Sequence, residues 1–99
     1  MIHILTYNFS INYLEERTPH RMNHFEHLKP YISRKELLLG GATESGSPEG
    51  ILIFDKLSRQ ELETFAKSDP YIINRVATSY KIEKWNVVVG SLIDHIKVA

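Results

Sequence analysis

Residues 51–71 read ILIFDKLSRQELETFAKSDPY, and the fold turns on this stretch. Ile51 to Phe54 is a short unbroken apolar run of strand length, and Asp55 begins the turn out of it. Ser58 followed by Glu61 matches the capping box, in which side chains satisfy backbone donors exposed at a helix start. Leu62, Phe65 and Ala66 then recur at spacings of three and four, giving the helix one apolar face. Ser68-Asp69-Pro70 ends it, because the residue before proline avoids helical geometry.

The flanks extend the pattern. Residues 42–50 (ATESGSPEG) are small and polar, and read as a loop. Before them Leu37-Leu38-Leu39 is a short strand, with Gly40-Gly41 expected to turn the chain. Upstream, Met22, Phe25, Leu28 and Ile32 recur at helical spacing, so a helix is predicted to about Arg34. Pro30 should kink or stop it, since proline removes a backbone donor and clashes with the preceding turn. Asn12 or Thr18 is a candidate cap, and Pro19 suits a first helical turn. Residues 2–9 (IHILTYNF) are rich in β-branched and aromatic types and read as the first strand. On the other side, residues 76–89 read as the last strand. There Tyr80, Ile82 and Lys84 alternate with Lys81, Glu83 and Trp85, before Val87-Val88-Val89 and a stop at Gly90.

The order is therefore strand, helix, strand, strand, helix, strand. That is the ferredoxin-like β-α-β-β-α-β arrangement of the α+β class: a four-stranded antiparallel sheet with two helices on one face. The other face would be bare, and a second copy of the same sheet is the economical cover, so a homodimer is expected. Residues 1–90 form the predicted domain, and 91–99 a C-terminal extension.

Composition narrows the class. The chain has 99 residues, 42% hydrophobic and 24% charged, as in an ordinary globular domain. Lysine plus arginine total 12 and aspartate plus glutamate total 12, without the basic excess of a nucleic-acid binder. No apolar run approaches bilayer-spanning length, and Met1-Ile2-His3-Ile4 lacks the pattern of a signal peptide. With no cysteine there is neither a disulfide framework nor a thiolate nucleophile. A cytoplasmic protein bound to neither nucleic acid nor membrane is expected.

Four segments carry a resemblance. Arg21-Met22-Asn23-His24-Phe25-Glu26-His27-Leu28 resembles the R-x-x-H-[L/F]-x-x-L helix segment of the YciI-like family. Leu37 to Gly41 is similar to that family's L-L-x-G-G strand and turn. Asp69-Pro70-Tyr71 is similar to its D-P-[FY] motif, and Lys84-Trp85 stands where it carries a tryptophan near the end of the last strand. The resemblance spans roughly residues 2–89, in order. It implies a dimeric α+β barrel with a pocket, His24 and Asp69 as an active pair, and Arg21, Tyr71 and Gly41 as substrate contacts. The chain departs from the pattern at Arg75, where members usually carry glycine.

Chemistry gives these residues weight. Histidine takes and returns protons near neutral pH, and a carboxylate can fix its tautomer and raise its basicity. Taken alone, Asp69 reads more readily as a helix-stop residue and His24 as a surface or half-buried polar residue of a helix. His20, His24 and His27 share one helical face with metal-ligand chemistry, yet no fourth ligand falls at an obvious position. Tyr7, Tyr13, Tyr71 and Trp85 are candidate pocket aromatics; only Tyr71, beside Asp69, is placed at the site. The leading expectation is an enzyme of lyase or isomerase type acting on a small organic acid or carbonyl compound, with no cofactor and no metal. The alternative is a non-catalytic domain that holds a metabolite in the same pocket.

Overall fold

The computed structural model describes residues 1–44 and 46–96. Its sheet has the order β2-β3-β1-β4, built from β1 (Ile2–Phe9), β2 (Leu37–Ala42), β3 (Glu49–Asp55) and β4 (Ala77–Trp85). Every neighbouring pair is antiparallel, and the expected ferredoxin-like α+β architecture is present. The helices are α1 (Tyr13–Glu16), α2 (Arg21–Ser33), α3 (Arg59–Ser68) and α4 (Pro70–Ile73). A 3-10 turn at Thr18–His20 joins α1 to α2, with Pro19 in its first turn. Asn12 precedes α1 but makes no side-chain cap.

Alternation along β1 sorts the two faces of the sheet. Leu5, Tyr7 and Phe9 turn toward the helices, where they join Leu52, Phe54, Leu62, Phe65 and Ile82 in the core. Ile4 pairs with Ile53 and Thr6 with Ile51 on the opposite face, where Leu39 also lies across from Ile53. The capping box is formed in full: the Glu61 amide donates to Ser58 Oγ at 3.1 Å, and the Ser58 amide to Glu61 Oε1 at 3.0 Å. Leu62, Phe65 and Ala66 are buried, as the spacing predicts.

Several expectations need correction. Helical spacing places α2 as expected, yet of Met22, Phe25, Leu28 and Ile32 only Leu28 is buried. His24 and Leu28 point inward instead, with Tyr31 packed on the core cluster. Pro30 does not stop α2, which continues to Ser33; sitting near the end, it forfeits little of the helical ladder. Gly40 and Gly41 do not turn the chain but pair with Leu52 and Ile51 inside β2. A Cβ at Gly40 would stand 2.7 Å from Leu52 Cδ2, so a larger residue there would push the Leu52 side chain aside. The last strand ends at Trp85 rather than 89, because Trp85 pairs with Ile2 and β1 supplies no partner beyond it.

Arg75 has φ 58, the left-handed conformation that glycine adopts most readily, and its side chain is exposed. Within the expected extension at 91–99, a 3-10 turn covers Ile93–His95, and residues 97–99 lie outside the described residues. Among the described residues no helix is long and apolar enough to cross a membrane.

Candidate active site

The first turn of α2 and the α3–α4 junction meet over the middle of β1. Asp69 caps α4 from an extended backbone (φ −71, ψ 126), with Pro70 fixing the first helical position. Its carboxylate is fully buried, and a buried charge is tolerable only when its hydrogen bonds are satisfied. Three donors satisfy this one: Tyr7 Oη to Oδ2 at 2.7 Å, His24 Nδ1 to Oδ1 at 2.8 Å, and the Tyr71 amide to Oδ1 at 2.9 Å. Burial first, then the Asp69 charge, push the Tyr7 phenol far above its ordinary ionisation range, so it remains a donor.

An ionised carboxylate only accepts, so His24 carries its neutral-form proton on Nδ1. Nε2 is then left with a free lone pair, and it has no protein partner among the described residues. The imidazole is clamped against the Tyr71 ring, with centroids 3.7 Å apart and planes 6° from parallel. Asp69-Pro70-Tyr71 thus serves His24 twice, once through the carboxylate and once through the ring.

His24 and Tyr71 line a cavity of about 510 Å³ between α2 and the sheet. Arg21 and Gly41 line it as well, so all the expected site residues except Asp69 reach its wall; Asp69 lies behind His24. Phe25, Leu28 and Ile32 also line it, which accounts for the apolar stripe of α2: it faces the cavity more than the core. Arg75 and Trp85 do not border it.

The charge of the wall is one-sided. Arg17 and Arg21 border the cavity, no carboxylate does among the described residues, and neither guanidinium has an acidic partner there. Arg21 stacks over Phe25 at 4.9 Å and Arg17 over Tyr13 at 5.7 Å, so aromatic faces aim both cations. Burial raises the Tyr71 phenol above its usual ionisation range, while Arg21 and Arg17 pull against that shift. Phe9 and Tyr13 stack at 4.4 Å on the same wall, in space that a Cβ at Gly50 would invade at 2.7 Å from Phe9 Cζ.

Arg17 and Phe9 are wall residues that sequence reasoning does not single out, and Tyr7 and Tyr13, candidate pocket aromatics not placed at the site, line it too. Tyr7 shares the inward phase of Leu5 on β1, and Arg17 stands four residues before Arg21; those were the available signals. The histidine face does not assemble as a cluster. His27 Nε2 meets the Phe65 carbonyl at 2.9 Å, His24 is held by Asp69, and no metal-holding group of three or more His, Asp or Glu occurs among the described residues.

Comparison with known proteins places these features in context. The family described as YCII-related domain matches residues 1–86. No curated protein matches the sequence. Among solved structures, a similar fold belongs to 5-chloro-2-hydroxyhydroquinone dehydrochlorinase (TftG) from Burkholderia phenoliruptrix AC1100, in complex with 2,5-dihydroxybenzoquinone. Its TM-score is 0.75 and its identity 18%, over 98% of this chain and 100% of that one. Rv0793 from Mycobacterium tuberculosis matches 91% of this chain and 96% of its own, at TM-score 0.44 and 14% identity.

Proposed function

The chain belongs to the YCII-related domain family, and from that membership and the cavity geometry we propose an enzyme that moves a proton on a small organic acid or carbonyl compound. His24 is the general base and acid through Nε2, and Asp69 orients the ring and stabilises the imidazolium that forms. Arg21 and Arg17 hold the negative charge that the substrate carries or develops, and the Tyr71 and Gly41 walls confine it. Loss of a proton beside a carbonyl gives an enolate. Its return at another carbon completes an isomerisation, and expulsion of a leaving group completes a lyase reaction. The observation that carries this reading is the 2.8 Å contact between His24 and a fully buried Asp69 at the wall of a cavity that Arg17 and Arg21 border and, among the described residues, no carboxylate does. It supports the catalytic reading, while the same cavity would also serve a domain that merely holds a metabolite.

The dehydrochlorinase of similar fold suggests the probes. It holds 2,5-dihydroxybenzoquinone, a planar ring with carbonyl and hydroxyl groups. We would incubate the protein in D2O with a panel of hydroxyquinones, enolisable keto acids and lactones, and follow carbon-bound deuterium by NMR. Exchange should occur in the wild type and fall by about 10²–10⁴-fold in His24→Gln. Arg21→Met should weaken binding of the exchanging compound by roughly tenfold or more, the worth of a hydrogen bond to a charged group. Wild-type exchange rates in His24→Gln would dismiss the reading.

The functional unit in this reading is a homodimer whose protomers cover each other's open sheet face, where Ile4, Ile51, Ile53 and Leu39 lie side by side. Sedimentation should give a dimer for the wild type and a monomer for Ile53→Lys; a monomeric wild type would remove this part.

A further inference from the structure

Resting on that reading of His24, we infer that Tyr7 is a positioning residue of the site, whose hydroxyl governs how strongly Asp69 pulls on the His24 Nδ1 proton. The two oxygens of Asp69 are unequally served. Oδ1 receives both the His24 ring and the Tyr71 amide, whereas Oδ2 receives Tyr7 alone. Asp69 is fully buried, so bulk water is not on hand to replace that donor.

A carboxylate spreads its charge over whatever donors it has, and a short hydrogen bond to one oxygen lessens its pull at the other. Tyr7 therefore moderates the His24 contact. Asp69 stays an acceptor while Nε2 gains and loses the substrate proton, and the Nδ1 proton remains on the imidazole. A phenol suits this task because it is neutral, and burial keeps it protonated across the working range. The Tyr7 ring also lines the cavity, so the same residue ties the wall to the pair behind it.

The neighbouring strand supplies an internal control. Tyr80 pairs directly with Tyr7 across the sheet, and its hydroxyl also donates to a carboxylate, Glu63 Oε2, at 2.5 Å. That pair does not touch His24. A general loss of tyrosine hydrogen bonding on this face would affect both; a positioning role belongs to Tyr7.

The test is the proton resonance of His24 Nδ1–H in the ligand-free protein, assigned by its disappearance in His24→Gln. In Tyr7→Phe it should move downfield, because Asp69 Oδ1 becomes the stronger acceptor; in Tyr80→Phe it should stay in place. Should Tyr7→Phe fail to fold, 3-fluorotyrosine placed at position 7 alone makes that phenol a stronger donor and should move the resonance upfield. An unmoved resonance in Tyr7→Phe, or in the fluorotyrosine protein where Tyr7→Phe does not fold, or a shift opposite to the one stated, overturns the role of Tyr7. The two readings fail separately. Equal deuterium exchange in His24→Gln and wild type would remove the base and leave the Tyr7 shift standing, while an unmoved resonance would remove Tyr7 and leave His24 as base.

Discussion

Tyr71 and His24 lie ring against ring, 3.7 Å between centroids and 6° from parallel, while the Tyr71 amide donates to the carboxylate that holds His24. A backbone junction and an aromatic face therefore act on one imidazole. The carboxylate is the shared element, so its charge is the first quantity to change.

Asp69→Asn keeps the shape and removes the charge. Its amide group must face either the Tyr7 hydroxyl or the donors at Oδ1, leaving a buried donor without an acceptor. We expect a loss of about 1–3 kcal/mol in urea-induced unfolding. Turnover should fall by about 10²–10⁴-fold, since the amide no longer fixes the tautomer that bares Nε2. Turnover unchanged at reduced stability would show that Asp69 is purely architectural.

Arg75→Gly should stabilise the protein. The position holds φ 58, and left-handed backbone costs a side-chain-bearing residue about 1 kcal/mol that glycine avoids. The side chain is exposed and off the cavity, so ligand affinity should not change. A chemical-denaturation midpoint lower than that of the wild type would contradict the assignment.

His3 makes stability depend on pH. It is buried, its Nδ1 has no partner among the described residues, and burial, then the N-terminal amine, Lys84 and Arg59, hold its ionisation below the ordinary value of 6.5. The unfolded chain binds the proton more readily than the native one. Stability from this group is thus full above about pH 6.5 and declines as pH falls through that value, levelling off below the native one. Unfolding followed from pH 8 to pH 5 should show that decline in the wild type, and a shallower one in His3→Leu. Parallel curves would contradict the assignment.

Much of the fold could be read from local chemistry. The capping box at Ser58 and Glu61 and the break at Asp69-Pro70 are set by near neighbours in the chain, and both stand as the pattern predicts. Errors arose where tertiary context decides. The apolar stripe of α2 predicts a helix but not what the stripe faces, because periodicity cannot distinguish a core from a cavity wall, and Phe25 and Ile32 face the cavity. The strand through Val89 was too long because its end depends on where β1 begins. At the site, His24, Asp69 and Tyr71 were legible through motif resemblance, and 45 residues of chain close into one hydrogen bond. Tyr7 was not legible: a tyrosine on the inward phase of a strand looks like core, and its partner lies 62 residues away.

The central claim is that Asp69 holds His24 with its proton on Nδ1 and a bare Nε2 at the cavity. Nitrogen NMR of the 15N-histidine-labelled protein at pH 8 tests it most directly. The account predicts a protonated Nδ1 and an unprotonated Nε2 for His24, both lost in His24→Gln. A His24 proton on Nε2, leaving Nδ1 bare, would contradict it.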